Sequence, residues 1–133
     1  MPSRSAYVDG RLGATASSAA VKVDLAAMGD ADAAKLLAIT PYWGRYMWDD
    51  PDSPLKAFLL AEDLQEAGFG PDIAPVVEGD GPQNIGTEEE PVLIEPGKAW
   101  TLNEPKLIPL ILAALRAQQA QIDALAASLA AAG

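Results

Sequence analysis

The sequence predicts an α+β head followed by a long C-terminal helix that forms a parallel trimeric coiled coil. In the middle of the chain, an aromatic-rich stretch, a turn and an apolar stretch have the pattern of an antiparallel hairpin between short helices. In the last quarter of the 133 residues, apolar side chains recur with heptad spacing. We therefore divide the chain into an N-terminal arm (1–16), a head (17–104) and a C-terminal helix (105–133).

The head begins with an apolar segment and a short helix. Ser17 to Leu25 alternates in part between apolar and polar residues, which predicts a short strand or an extended segment. Asp30 or Asp32 can cap a helix that extends to Ile39. Pro41 ends this helix, because the residue before a proline is disfavoured in the helical region.

The predicted hairpin and a second short helix follow. Tyr42 to Trp48 is rich in aromatic residues and predicts a strand, and Leu55 to Leu60 predicts its partner. The intervening residues 49–54 contain two prolines and three aspartates, the composition of a turn. Ala61 to Ala67 predicts a helix that ends at Gly68.

The next part of the head has a weaker pattern. Residues 69–90 are rich in glycine, proline and acidic residues and predict irregular structure, with Glu88 to Glu90 in a solvated loop. Val92 to Ile94 predicts one more short strand.

The final helix has two prolines near its start. Thr101 or Asn103 is expected to open it, with Pro105 in its first turn. Pro109 is an irregularity one turn later, so we expect the coiled coil proper to begin near Leu110.

The heptad positions form a narrow stripe on this helix. Isoleucine at both core positions disfavours a parallel dimer and favours three or more strands, and a glutamine in the core fixes the alignment of the strands. The alternative is an amphipathic helix that packs on its own head, although such a helix usually carries a wider apolar face. The predicted seam consists of Ile108, Ile111, Leu115, Gln118, Ile122, Leu125 and Leu129.

Composition excludes several classes of function. The chain has no cysteine and no histidine, which excludes disulfides, a Ser-His-Asp triad and a histidine-ligated metal site. Nine basic and 19 acidic residues give a net charge of −10, which disfavours nucleic acid and anionic membranes as partners. We find no nucleotide-binding or metal-binding motif and expect no cofactor, no metal and no membrane span.

Four segments follow one another in a characteristic order and spacing: Leu36–Pro41, Tyr46–Asp49, Phe58–Ala67 and Leu107–Leu115. In this order, the chain from about Ser17 to Leu129 resembles the C-terminal intramolecular chaperone domain of phage tail fibres and tailspikes, the peptidase S74 family. It departs from the family pattern at Ala57, at Glu62–Asp63 and in a longer loop between Gly79 and Ala99.

The resemblance implies a trimeric domain that helps a fibre or spike to assemble and often cuts itself off. Ser17 and Lys22 fall on the family's nucleophile and base, and Leu25 falls on its apolar position. Ser18 and Ala20 stand where the family has aspartate and arginine, so we expect no cleavage. A lysine can act as the base for a serine when burial lowers its pKa.

These features predict a phage virion structural protein that promotes or maintains trimeric fibre or spike assembly. We expect a homotrimer with phage tail, fibre or spike proteins as partners, made in the host cytoplasm and then present in the virion. The arm from Ser5 to Ala16 can join a partner by strand addition. A self-cleaving chaperone of the S74 type and an unrelated trimeric coiled-coil adaptor are the alternatives.

The aromatic residues leave two interpretations open. We expect most of Trp43, Tyr46, Trp48 and Trp100 to pack in the core of the head; the alternative is that they line a face that binds a host surface glycan.

Overall fold

The protein is α+β, with small antiparallel sheets and a long C-terminal helix. The computed structural model describes residues 7–8, 11–12 and 18–133. Within these residues there are three helices, α1 (Asp30–Leu37), α2 (Ala61–Glu66) and α3 (Leu107–Ala132). Each sheet has two strands: β1 (Tyr7–Val8) pairs with β2 (Arg11–Leu12), β3 (Tyr42–Gly44) with β4 (Lys56–Phe58), and β5 (Gln83–Asn84) with β6 (Leu93–Ile94).

The segment before α1 differs from its prediction. Ala19–Val21 forms a 3-10 turn instead of a strand, and the hydroxyl of Ser18 caps it by accepting a hydrogen bond from the backbone N–H of Ala20 at 3.1 Å. The cap of α1 is Gly29, not an aspartate. Asp32 contributes from the third helical position, where its carboxylate accepts a hydrogen bond from the Gly29 N–H at 3.1 Å.

The predicted hairpin is present, with a shorter first strand. Tyr42 pairs with Phe58 and Gly44 with Lys56. The strand does not reach Trp48, because a turn begins at Tyr46: the Asp49 carboxylate accepts a hydrogen bond from the Tyr46 N–H at 2.8 Å. The aspartates of the turn therefore bond to the backbone two or three residues away and compete with strand pairing.

The start of α3 agrees with its prediction. Asn103 is the cap residue of a 3-10 turn, Glu104–Lys106, which contains Pro105 and leads directly into the α-helix at Leu107. Pro109 is the third residue of α3. It causes no break, because the first N–H groups of a helix have no acceptor within that helix.

The core lies where α2, the loops after it and the first turns of α3 meet. Leu64, at the centre of this core, is completely buried, and several partly buried apolar side chains pack against the core. The side chain of Gln65 fixes the loop before α3, since it donates to the Gly97 carbonyl at 2.8 Å and accepts from the Ala99 N–H at 2.9 Å. The buried cluster consists of Ala61, Leu64, Phe69, Ala74, Ala99, Leu107 and Leu110.

The loop between β5 and β6 is held by one asparagine side chain. The amide oxygen of Asn84 accepts from the backbone N–H groups of Gly86 and Val92, each at 2.9 Å. A Cβ atom on Gly86 would overlap the carbonyl oxygen of Glu90 and lie 2.8 Å from the nitrogen of Val92. Both are backbone atoms, so only a shift of the loop relieves the overlap.

Gly86→Ala is therefore expected to lower the free energy of unfolding of the head by about 1–3 kcal/mol. Thermal unfolding followed by tryptophan fluorescence measures the change. Gly81→Ala is the matched control, because a Cβ atom at Gly81 would have no neighbour within 4 Å. Equal melting temperatures for the two variants would show that the loop is not constrained in this way.

Candidate functional site: an exposed seam on the C-terminal helix

One face of α3 packs on the head. Leu107, Leu110 and Ala114 are buried there, and Ala117 is partly buried one turn further on. Helix α1 packs against α3, with its own Ala33 buried. The first turns of α3 therefore belong to the core of the head.

A different face of α3 carries the predicted seam, and this face is exposed. Among its aliphatic members the exposed fraction ranges from 48% at Ile111 to 74% at Leu129. We letter the heptad a to g so that Ile108 and Ile122 are at a and Ile111 is at d. In this register the residues that pack on the head occupy the g and c positions, whereas the seam occupies a and d. At 100° per residue the centres of the two faces lie roughly 90° apart around the helix. The helix thus does pack on its own head, as in the alternative interpretation, but it does so through a second face, and the seam stays exposed.

Beyond the head, α3 extends without support from the other elements that the structure describes. Every residue from Gln118 to Ala132 is exposed. A surface hydrogen bond between Gln119 and Asp123, 2.9 Å long, contributes only about 0.2–0.5 kcal/mol. An alanine-rich helix of this length is marginal in water. Burial of Ile122, Leu125 and Leu129 against other copies would contribute roughly 1.5–3 kcal/mol for each side chain.

Gln118 lies between two apolar layers of the seam and is exposed. In a parallel trimer the three copies of this side chain meet in one layer, where their amides can bond to one another. In an antiparallel arrangement each would face apolar side chains, which leaves a polar group unsatisfied.

Two of the residues that correspond to the cleavage site, Lys22 and Leu25, lie in the described part of the chain, and Ser17 lies outside it. Lys22 is exposed, and its backbone N–H closes the 3-10 turn by donating to the Ala19 carbonyl. Leu25, at the family's apolar position, is 69% exposed. The prediction that Ser17 and Lys22 do not cleave the chain, and the alternative that they do, both stay untested.

The aromatic side chains of the hairpin form a surface cluster. The rings of Tyr46 and Trp48 stack with centroids 4.8 Å apart and an interplanar angle of 6°, and Phe58 meets Tyr46 edge-on. Trp43 is 73% exposed and Trp48 53%. Packing in the core of the protomer was therefore the wrong expectation for these tryptophans.

An ion pair between Lys56 and Asp49 lies against the Tyr46 ring of this cluster. Lys56 lies 3.0 Å from the Asp49 carboxylate, and its ammonium lies 5.1 Å from the centre of the Tyr46 ring. The hydrogen bond from Lys56 holds the pKa of Asp49 below its ordinary value, and the bond from the Tyr46 N–H acts in the same direction.

A groove lies beside Trp48, with a volume of about 320 Å³. Met47 and Trp48 form one wall, and Thr87, Glu89 and Glu90 of the fixed β5–β6 loop form the other. The groove therefore combines an aromatic face with hydrogen-bond acceptors. The sequence interpretation missed it, because the two walls are 40 residues apart along the chain and only folding brings them together.

In the part of the chain that the structure describes, no group of three or more acidic side chains could hold a metal ion. Within the same residues, no helix is both long and apolar enough to cross a membrane.

No family model, curated protein or solved structure matches this chain.

Proposed function

We propose that this protein is a trimeric structural component of a phage virion. It resembles the intramolecular chaperone domain of tail fibres and spikes, and it promotes or maintains trimeric assembly without cleaving itself. The observation that carries the proposal is the exposed heptad seam of α3, which has no partner within the described part of the protomer. The order of the four family-like segments supports the phage assignment.

The placement of the head supports association through this seam. A coiled-coil trimer directs a and d residues to its axis and keeps the c position outside. The head packs through Leu110 at c and through Leu107 and Ala114 at g. It therefore lies on the flank of α3 and leaves the axis open to two more copies.

Purified virions test the phage assignment. We expect denaturing electrophoresis to show a band at the mass of the chain, 13.9 kDa. A sequence identification of that band from particles would support the proposal, and its absence from particles would rule out a retained virion component.

Mass spectrometry of the expressed chain distinguishes the non-cleaving protein from a self-cleaving chaperone. We expect the intact chain, because two residues of the family motif are replaced and Lys22 is exposed. A product that begins at Ser17, and that disappears in Ser17→Ala, would establish self-cleavage and contradict the proposal.

The exposed aromatic cluster favours a second function, binding of a host surface glycan. Sugar rings pack on exposed aromatic faces, and the carboxylates of Glu89 and Glu90 accept hydrogen bonds from hydroxyl groups. These carboxylates would repel acidic sugars, so the proposed ligand is a neutral glycan.

Trp48→Ala is expected to weaken glycan binding about tenfold or more, since it removes the aromatic wall of the groove. Binding of the full chain to an array of neutral oligosaccharides measures the effect. Trp43→Ala is the matched control, because Trp43 is also exposed but does not line this groove. Failure of the wild-type chain to bind any oligosaccharide, or equal losses in both variants, would contradict this function.

A further inference from the structure

The two flanks of α3 differ. The head covers the flank formed by the g and c positions, through Leu107, Leu110 and Ala114. The opposite flank, formed by the e and b positions, borders a groove of about 440 Å³ beside the segment that precedes α1. The groove is lined by Ala27, Met28, Pro109, Leu112, Ala113 and Arg116.

The groove carries exposed apolar side chains. Leu112, at an e position, is 58% exposed, and Met28 is 47% exposed. The segment that leads into Ala27 and Met28 also carries exposed apolar side chains, since Val21, Val23 and Leu25 are all more than half exposed. Within the described residues, helices and strands of the same protomer leave Leu112 and Met28 accessible.

The heptad register indicates what covers the groove. In a parallel coiled coil, the e position of one helix lies beside a g position of its neighbour. Leu112 is at e, and Leu107 and Ala114 are at g. Since these two g residues are buried under their own head, association through the seam brings the head of one subunit to the groove of the next.

We propose that the groove beside Leu112 and Met28 is the docking site for the head of a second copy of this chain. The contact repeats around the threefold axis, so that each subunit gives its head to one neighbour and receives the head of the other. The inference rests on the proposed parallel trimer and extends its interface from the helix to the head.

Thiol labelling of the full chain tests this contact, because the sequence contains no cysteine. Met28→Cys is the main probe. Met28 precedes α1 and is not part of α3, so a bare coiled coil would leave it accessible. Leu112→Cys reports the same groove from the helix, and Ala120→Cys, on the side of α3 opposite the seam, is the control.

Each cysteine variant is labelled with a maleimide, once with the wild-type seam and once combined with Ile122→Asp. We expect Met28→Cys and Leu112→Cys to react about tenfold more slowly with the intact seam, and Ala120→Cys to react equally in both. Light scattering on the same samples shows whether the chain is a trimer, independently of whether the head docks in the groove. A trimer in which Met28→Cys reacts as fast as in the seam variant overturns the docking site and leaves the trimer standing. A wild-type monomer overturns both.

Discussion

Ile122→Asp is expected to convert the protein from a trimer to a monomer. Ile122 occupies a core position of the seam, in the part of α3 that extends beyond the head, and it is 57% exposed in the protomer. In the proposed trimer the substitution would place three carboxylates together on the axis, away from water. In each subunit an unpaired buried charge costs several kcal/mol, and the roughly 1.5–3 kcal/mol gained from burying the isoleucine is lost as well.

The readouts are the molar mass from light scattering and the helix content from circular dichroism. We expect the mass to fall threefold and the helix content to decrease, because the unsupported half of α3 is marginal without partners. Ala120→Asp is the matched control: it adds the same residue to the same helix, on the side away from the seam. A trimeric Ile122→Asp variant, or equal dissociation of both variants, would contradict the assignment of the seam.

Leu64→Ala is expected to have the largest effect on the stability of the head. Leu64 has no exposed surface and lies at the centre of the cluster that joins α2 to the start of α3. Truncation of such a leucine leaves a cavity and costs about 2–5 kcal/mol. For a domain of this size the loss corresponds to a decrease in melting temperature of roughly 10 °C or more.

Tryptophan fluorescence during thermal unfolding measures this change, because all three tryptophans lie in the head. Leu93→Ala is the control, since Leu93 is 60% exposed and its truncation is expected to change the free energy of unfolding by less than about 0.5 kcal/mol. If Leu64→Ala melts at the wild-type temperature, the core is not organised around Leu64.

The sequence predicted those helices and strands whose patterns depend on residues close together in the chain. The α+β class, the pairing of Tyr42 with the segment around Phe58, and the long final helix are all confirmed. The heptad spacing also identified a surface that the fold of the protomer leaves open.

Other features depended on contacts that no local pattern contains. The first strand ends early because Asp49 bonds back to the Tyr46 N–H, whereas its aromatic composition favours a longer strand. Gln65 fixes a loop more than 30 residues away, and nothing in its neighbourhood signals that role. The second face of α3, through Leu107 and Ala114, was overlooked because the heptad stripe is the stronger periodic signal.

The molar mass of the full wild-type chain in solution tests the central claim most directly. Light scattering coupled to size-exclusion chromatography, at micromolar concentrations and physiological ionic strength, is the appropriate measurement. The exposed seam predicts a single species of three times the 13.9 kDa chain mass. A species of one chain mass across the concentration range would contradict the trimer, and with it the structural role proposed for this protein.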